Sequence, residues 1–253
     1  MDAGLDLPPA YRLVSLESVG STNEEAKRLA RGRAEDGTLV WARSQTAGRG
    51  RVGRAWISPP GNLYLSLVLR PEGPAARAAE LGMVASVALG EALGALLPPL
   101  IELRYKWPND VLLNRRKVAG ILLEAEPGPA GGIEWIVLGL GVNVATYPEG
   151  LEPPATSLKA ECGEDFAVEQ ILEAFARHFL AGVNRWLDEG LEPARRIWKS
   201  RALGLGEKIT VRLAQRVLEG VFADLDEGGA LVLERPSGAR ELVTAGDVFF
   251  GGP

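Results

Sequence analysis

A segment rich in glycine and arginine, TAGRGRVGRAW, occupies residues 46–56. Its glycines and arginines are Gly48, Arg49, Gly50, Arg51, Gly53 and Arg54. Glycine lets backbone N–H groups approach an anion closely, and arginine offers a planar, permanently charged fork that matches carboxylate and phosphate oxygens. The segment therefore predicts an anion-binding loop. A solvated basic turn or an RNA-contacting segment is the alternative, but the short connection between two apolar strands favours a site on a folded scaffold.

This loop fits neither of two familiar phosphate-binding signatures. The Walker A pattern GxxxxGK[ST] is absent from the sequence, and no GxGxxG joins a strand to a helix in a βαβ context. The anion must therefore be held in another way than in those two classes of nucleotide-binding protein.

A second polar cluster follows in the segments KWPND and KVAG. Proline restricts the backbone beside Asn109 and Asp110, whose amide and carboxylate suit a nucleotide and Mg²⁺ respectively. Lys117 begins an otherwise apolar strand, where a snorkelling surface lysine is the alternative to a site residue. Gly120 within that strand indicates that something packs closely against the backbone.

A third cluster is the segment GLGVN, which contains Gly139, Gly141 and Asn143. Two glycines weaken a strand, so a bulge or a ligand that touches the backbone is the usual reason for them. Asn143 is a polar residue in an apolar run. The alternative to a binding role is a residue at the end of a strand whose amide is satisfied by a turn.

Hydrophobic periodicity predicts the elements that must position these residues. The segment STNEE has the spacing of a capping box, and Gly32 is a stop signal for the helix that follows. Strands are predicted at residues 38–45, 63–70, 117–126 and 133–145, two extended pieces within 101–114, helices at 77–97, 166–189 and 193–203, and a loop at 146–165. Turn residues between the last two strands favour an antiparallel hairpin. We expect an α+β fold with a mixed or antiparallel central sheet and helices on one face.

The pattern of the chain changes after Gly204. The segments KITVRL, RVLEGVFADLD, ALVLERP and RELVTAGDVFF are predicted as short strands divided by glycine and proline. Such closely spaced strands are typical of a small β-barrel. We therefore expect two domains, residues 1–203 and residues 204–253.

Composition and charge exclude some partners. The chain is 46% hydrophobic and 24% charged, as an ordinary globular protein is, and its net charge of −5 argues against nucleic acid as the main partner. The most apolar stretch, residues 81–100, is interrupted by Glu91 and by two prolines, so we expect no membrane segment. The first residues show no basic segment followed by an apolar one, so we expect no signal peptide and a cytoplasmic protein.

The counts of cysteine and histidine disfavour two kinds of catalytic centre. Cys162 is the only cysteine, which excludes an intramolecular disulfide and a Cys-rich zinc site, and it lies in a segment predicted as a polar loop. His178, the only histidine, lies in an apolar-periodic stretch. We expect a helix residue near the edge of the core rather than a catalytic base.

Taken together and in this order, the segments STN, QTAGRGRVGRAW, NLYLSLVL, KWPNDVLL, KVAGILLE and GLGVN resemble the blocks of the biotin–protein ligases. The resemblance covers the chain from about Val14 to Ala145, and the C-terminal domain in general pattern. It implies a class II synthetase-like core, with a mixed sheet flanked by helices, and a small SH3-like C-terminal β domain.

The resemblance also implies roles for individual residues. It assigns biotin to Ser21, Thr22, Asn23, Gln45, Gly48, Arg49, Gly50, Arg51, Lys117, Gly120 and Gly139. It assigns ATP to Arg51, Arg54, Trp56, Asn109, Asp110 and Asn143. Lys117 and Arg49 are the implied catalytic residues, and Mg²⁺ is expected on the ATP phosphates, with Asp110 as a candidate ligand.

The implied reaction activates biotin with ATP to biotinyl-5′-AMP and then transfers biotin to a lysine of a biotin carboxyl carrier protein. Because the first matching block begins near Val14, we expect a monofunctional ligase without an N-terminal DNA-binding domain or repressor activity. We also expect a homodimer, as in many relatives.

Two alternatives stay open. The first is a related transferase, because lipoate ligases and octanoyltransferases share this core; the octanoyl type also needs a nucleophilic cysteine, and Cys162 lies outside every motif. The second, of another class, is a non-catalytic module that binds RNA or a nucleotide through the arginine loop.

Overall fold

The computed structural model describes residues 4–71, 77, 79–129, 132–151 and 153–250. The helices of this part of the chain are α1 (Thr22–Arg31), α2 (Glu80–Gly94), α3 (Leu158–Cys162), α4 (Val168–Glu189) and α5 (Glu192–Ser200). The larger sheet contains β1 (Arg12–Leu16), β2 (Thr38–Ala42), β3 (Leu63–Leu69), β4 (Leu103–Lys106), β5 (Asp110–Leu113), β6 (Arg116–Pro127) and β7 (Ile133–Val142). The smaller sheet contains β8 (Lys208–Arg212), β9 (Val217–Leu225), β10 (Leu231–Glu234), β11 (Arg240–Val243) and β12 (Asp247–Phe250).

The larger sheet is mixed. Its strand order is β1-β2-β3-β7-β6-β5-β4, and only β1 and β2 run parallel, joined through α1, while the other neighbours are antiparallel. The predicted mixed sheet and the predicted β6–β7 hairpin are therefore confirmed. The edge strand β1 was not predicted, because it is short and its residues stay partly exposed, so it lacks a clear apolar run.

Helices cover both faces of this sheet, so the expectation of helices on one face is wrong. Side chains of α1, such as Ala26 and Ala30, pack against Val68 of β3 and Val137 of β7. The opposite face packs against α2 and α4 through alternate residues of the same strands, such as Leu67. A strand that is buried on both faces has no alternation of polar and apolar residues. The sequence of such a strand therefore does not indicate which of its faces a helix covers.

Two predicted local structures differ from the structure. Ser21 is the N-cap residue of α1, but its side chain makes no capping hydrogen bond, so the capping box is wrong. The backbone N–H of its neighbour Thr22 donates instead to the side chain of Gln45, which follows β2. The predicted loop at 146–165 contains the short helix α3, whose N-cap Ser157 accepts from Ala160 N–H, and Cys162 is its last residue.

The last predicted strand is in fact two strands that lie at opposite edges of the smaller sheet. The strand order of this sheet is β11-β10-β9-β8-β12. β11 and β12 therefore separate at the turn around Gly246, whose φ is 141°. All its strand pairs are antiparallel. This split carries β12 away from β11, and Asp247 at its start reaches the larger part of the molecule.

Helix α2 is buried on nearly all sides, as expected of an internal helix, although it is shorter than predicted. None of the helices in the described ranges is long and apolar enough to cross a membrane. The helix packs so tightly that a Cβ atom added at Gly90 would lie 1.9 Å from the hydroxyl oxygen of Tyr105. The Tyr105 ring cannot move aside easily, because it is buried and stacked on Trp198.

We expect Gly90→Ala to lower the free energy of unfolding by about 1–3 kcal/mol, because it overpacks the core. The matched control is Gly94→Ala in the same helix, where an added Cβ meets nothing within 4 Å. The control should raise the free energy of unfolding by about 1 kcal/mol or less through helix propensity. Chemical denaturation of both variants checks this, and equal effects would contradict the packing argument.

Candidate active site

A cavity of about 500 Å³ lies over β3, β7, β6 and β5, on the face of the larger sheet that carries α1. This volume suits a small-molecule site. The sequence-predicted site residues that line it are Ser21, Thr22, Asn23, Gln45, Arg49, Gly50, Arg51, Arg54, Trp56, Asn109, Asp110, Lys117, Gly120, Gly139 and Asn143. The structure thus brings together every predicted site residue except Gly48.

Polar side chains at the start of α1 form one end of the cavity. Gln45 Oε1 accepts from Thr22 N–H at 2.8 Å and from Thr22 Oγ1 at 3.0 Å. Gln45 Nε2 in turn donates to Ser58 Oγ at 2.9 Å. Ser66 Oγ lies 2.8 Å from Thr22 Oγ1 and 2.6 Å from Asn23 Oδ1. Sequence reasoning missed Ser66, although a lone polar residue inside the buried strand β3 is a signal for such a hydrogen-bonded role.

The Asn23 amide is fixed at both of its ends. Its Oδ1 faces Ser66, and its Nδ2 donates to Glu124 Oε2 at 2.9 Å. A Cβ atom at Gly139 would lie 2.1 Å from Asn23 Oδ1. Gly139 is therefore required so that Asn23 can approach the strand. The group that touches the backbone at Gly139 is thus a side chain of the protein.

Glu124 is the centre of an ion-pair network that sequence reasoning also missed. Lys27 Nζ lies 2.6 Å from Glu124 Oε1, and Arg49 Nη2 lies 3.9 Å from it. Glu24 also contacts both Lys27 and Arg49. Burial alone would raise the pKa of the Glu124 carboxyl, but hydrogen bonds from Asn23 and Lys27, with the charges of Lys27 and Arg49, outweigh it and lower the pKa. A carboxylate within the apolar segment KVAGILLE was the available signal.

The arginine loop folds back on itself as a narrow hairpin. Gly50 N–H donates to Arg54 O at 2.7 Å, and Trp56 N–H donates to Gly48 O at 2.9 Å. A Cβ atom at Gly48 would lie 2.3 Å from Trp56 O. Gly48 thus permits the hairpin to close but does not line the cavity. Its position therefore does not support direct contact with a ligand.

The Trp56 indole lies directly on the sheet. Gly120 and Gly141 are cross-strand partners, and added Cβ atoms there would lie 3.1 Å and 2.5 Å from the ring. The close packing predicted at these glycines is therefore made by Trp56. Its Nε1 is buried and has no hydrogen-bond partner among the residues that the structure describes.

A β-bulge on β6 sets the position of Lys117. The register between β5 and β6 shifts by one residue, with Val118 as the extra residue. In a regular strand Lys117 and Gly120 would point to opposite faces, but the bulge places both on the cavity face. Lys117 Nζ lies 2.5 Å from Asp110 Oδ1 and 5.3 Å from the centre of the Trp56 ring. Lys117 is therefore a cavity residue and not a snorkelling surface lysine.

The other end of the cavity is closed by β12, which belongs to the smaller sheet. Arg51 donates from Nη1 and Nη2 to Gly246 O at 3.3 Å, and Arg54 pairs with Asp247. Asp247, Val248 and Phe249 line the cavity. Sequence reasoning missed Asp247, and no local pattern reveals it, because its partner Arg54 is 193 residues away in the chain.

Two asparagines predicted to bind ATP are held by the protein itself. Asn109 Nδ2 donates to Ile121 O at 2.5 Å, and its Oδ1 accepts from Arg51 Nη1 at 3.2 Å. Asn143 Nδ2 donates to Thr156 O at 3.0 Å. The strand-end alternative therefore describes the amide of Asn143, and contact of either residue with ATP stays a prediction.

The carboxylates near this end do not form a dedicated metal site. Asp110 pairs with Lys117, and Asp247 pairs with Arg54. Within the described ranges, no three His, Cys, Asp or Glu residues are grouped closely enough to hold a metal ion. This donor set fits an Mg²⁺ ion that is bound mainly by substrate phosphates and water, with one protein carboxylate such as Asp110.

Comparisons with known proteins agree with this geometry. Residues 7–200 match the model of the Biotin/lipoate A/B protein ligase family, and residues 204–251 match the Biotin protein ligase C terminal domain. The biotin–[acetyl-CoA-carboxylase] ligase of Paracoccus denitrificans is 44% identical over 94% of this chain and 100% of that protein. The bifunctional ligase/repressor BirA of Bacillus subtilis is 33% identical over 92% of this chain and 72% of that protein. The structure of the Aquifex aeolicus biotin protein ligase in complex with biotin and ATP is 28% identical, with a TM-score of 0.79 over 94% of this chain and 97% of that chain.

We expect Glu124→Gln to lower the free energy of unfolding at neutral pH by about 1–2 kcal/mol, because it removes a charge-assisted hydrogen bond to Lys27. The pKa of Glu124 is lower in the folded chain than its ordinary value of 4.5. Its stabilising effect is therefore complete above that value and is lost as the pH falls through the lower, folded pKa.

The difference in stability between Glu124→Gln and the unmodified chain should thus shrink as the pH falls below 4.5 and through the lower pKa of the folded chain. Denaturation curves at several pH values measure this. Glu126→Gln on the same strand is the control, since Glu126 forms no ion pair within the described part of the chain. A Glu124→Gln effect that does not change with pH would contradict the role of the charge.

Proposed function

Because the chain belongs to the biotin/lipoate A/B protein ligase family and is a biotin–protein ligase, we propose that it makes biotinyl-5′-AMP from biotin and ATP and transfers biotin to a carrier lysine. One observation supports this most directly. A single cavity joins a neutral, hydrogen-bonding end at α1 to a cation-rich end at β12, and Lys117 and the arginine loop lie between them.

The neutral end is the proposed site of the biotin head. A ureido ring carries one carbonyl acceptor and two N–H donors, so it needs partners of both kinds at fixed positions. Ser21, Thr22 and Asn23 offer hydroxyl and amide groups there. Gln45 holds Thr22, and Glu124 holds Asn23, so these groups are already oriented before a ligand arrives.

The cation-rich end is the proposed site of ATP, and the first chemical step is proposed to take place between the two ends, beside Lys117 and the arginine loop. A carboxylate oxygen of biotin attacks the α-phosphorus, and the bond from that phosphorus to the bridging oxygen breaks, so pyrophosphate leaves with the electron pair. An anion attacks an anion here, and positive groups stabilise the transition state in which their charges meet. Lys117, Arg49 and Arg51 supply this charge without a proton transfer. Mg²⁺ bound with ATP would add to the screening of the phosphates.

The arginine loop is proposed to exclude water from the mixed anhydride. Its ends are tied by ion pairs of Arg49 with Glu24 and of Arg54 with Asp247. The substrate carboxylate and phosphate compete with these carboxylates, so binding re-forms the loop around the ligand. The carrier lysine then attacks the activated carbonyl, which forms the amide and releases AMP.

The remaining expectations follow from the same proposal. The partner is a biotin carboxyl carrier protein, and nucleic acid is not a proposed partner, since Arg49 and Arg54 are paired with carboxylates and the net charge is −5. We propose a domain boundary at Leu203 and Gly204, with β12 closing the nucleotide end. Use of ATP suits the cytoplasm. The expected homodimer stays a prediction, for which the edge strand β1 is the candidate contact, since residues 201–203 pair with the outer edge of β4.

We expect a purified biotin-acceptor domain, incubated with this protein, ATP, Mg²⁺ and biotin, to gain the mass of one biotin. Intact-protein mass spectrometry measures this, with lipoate in place of biotin as the parallel reaction. The gain should require ATP and should vanish when the acceptor lysine is changed to arginine. Transfer of lipoate alone would contradict the assignment of the neutral end to biotin.

We expect Lys117→Met and Arg49→Ala to lower the rate of transfer by about 10²- to 10⁴-fold while the proteins stay folded, because each removes charge that stabilises the transition state. Steady-state transfer rates and thermal unfolding measure the two effects. Lys208→Met, at an exposed residue of β8, is the control. A non-catalytic binding module would instead show no turnover in the unmodified chain and only a graded loss of affinity in the variants.

A further inference from the structure

Lys106, the last residue of β4, is a buried lysine that lines the cavity. It is only 7% exposed. Its ammonium lies 5.7 Å and 5.8 Å from the centres of the Phe249 and Phe250 rings of β12. In the part of the chain that the structure describes, no carboxylate lies within 4.0 Å of this ammonium.

The other cations that line the cavity differ in this respect. Lys117 pairs with Asp110, and Arg54 pairs with Asp247. Arg49 contacts Glu24. Arg51 lies 3.8 Å from Asp247 and donates to a backbone carbonyl as well. Lys106 therefore keeps its charge available for a ligand, whereas each of these groups must first exchange a protein partner.

A buried ammonium without a partner is costly, because burial removes its hydration. Burial lowers the pKa of Lys106, against the opposing effect of the Asp110 charge. Cation–π contact with Phe249 and Phe250 is weaker than the loss of hydration of a buried ion. A contribution to the stability of the fold therefore does not explain a lysine at this position. An anionic ligand that pairs with the ammonium explains it.

Its place in the sheet indicates which part of the ligand it meets. Lys106 is the cross-strand partner of Asp110, and Asp110 contacts Lys117 from the next strand. Asp110 thus lies between the two lysines. Neighbouring strands are about 4.8 Å apart, so the two lysines stem from backbones about 10 Å apart. Lys117 faces the reacting centre near the arginine loop, and Lys106 lies beyond it, beside β12.

We propose that Lys106 binds the β- and γ-phosphates of ATP and holds pyrophosphate as it leaves. This assignment rests on the proposed function and deepens it. As the bond from the α-phosphorus to the bridging oxygen breaks, its electron pair and a negative charge move onto pyrophosphate. Lys106 stabilises that charge through its ammonium, and no proton is transferred.

The two half-reactions separate this role from a structural one. Formation of biotinyl-5′-AMP involves pyrophosphate, whereas attack of the carrier lysine on biotinyl-5′-AMP does not. We expect Lys106→Met to slow biotin-dependent exchange of pyrophosphate into ATP by about 10- to 1,000-fold and to raise the KM for ATP. Transfer from supplied biotinyl-5′-AMP should change by less than about threefold, and Lys106→Arg should restore much of the exchange because it keeps the charge.

Binding and stability supply two readouts that do not depend on turnover. Calorimetric titration with inorganic pyrophosphate and Mg²⁺ should show at least about tenfold weaker binding to Lys106→Met than to the unmodified chain. The thermal midpoint of Lys106→Met should stay the same or rise, since a charge without a partner is removed from a buried position. Lys208→Met serves as the control in each measurement.

The outcomes distinguish the two proposals. If the unmodified chain shows no biotin-dependent exchange, the proposed function fails and this assignment fails with it. If the unmodified chain exchanges and Lys106→Met exchanges equally well, only the role of Lys106 is overturned. A parallel loss of both half-reactions together with a lower thermal midpoint would also overturn it, because that pattern indicates a structural residue.

Discussion

The floor of the cavity carries no side chains at three positions on two paired strands, Gly120 on β6 and Gly139 and Gly141 on β7. An added Cβ atom would collide with the Asn23 amide at Gly139 and with the Trp56 ring at Gly141, and it would press tightly against that ring at Gly120. Because both groups rest on bare backbone, α1 and the arginine loop can approach the sheet closely from two sides. The width of the cavity, the orientation of the head-binding groups and the course of the loop all depend on this contact.

Around that contact the charges are arranged in pairs that a substrate can replace. The carboxylates of Glu24 and Asp247 hold arginines of the loop, and Asp110 holds Lys117. Such pairs reduce the cost of keeping several cations close together in a half-buried site. They also define where anionic groups of a substrate bind most favourably, because those groups replace the protein carboxylates beside cations that are already oriented.

The smaller sheet takes part in the same site through one strand. β12 brings Asp247 to the arginine loop and places Phe249 beside Lys106. This is possible because β12 separates from β11 and crosses to the opposite edge of its sheet. The C-terminal part of the chain thus forms part of the site, because it contributes both a carboxylate that pairs with arginine and apolar side chains that line the cation-rich end.

The sequence by itself determined most of what is local. Hydrophobic periodicity was enough to predict most helices and strands, and the resemblance of six segments to the biotin–protein ligases was enough to predict many of the residues that line the cavity. What only the tertiary structure decided is long-range. The bulge at Val118 places Lys117 on the cavity face, the partners of Glu124 come from α1 and the loop, and Asp247 arrives from another sheet. Strand register and ion pairing depend on contacts between distant segments, and no local pattern of residue types encodes them.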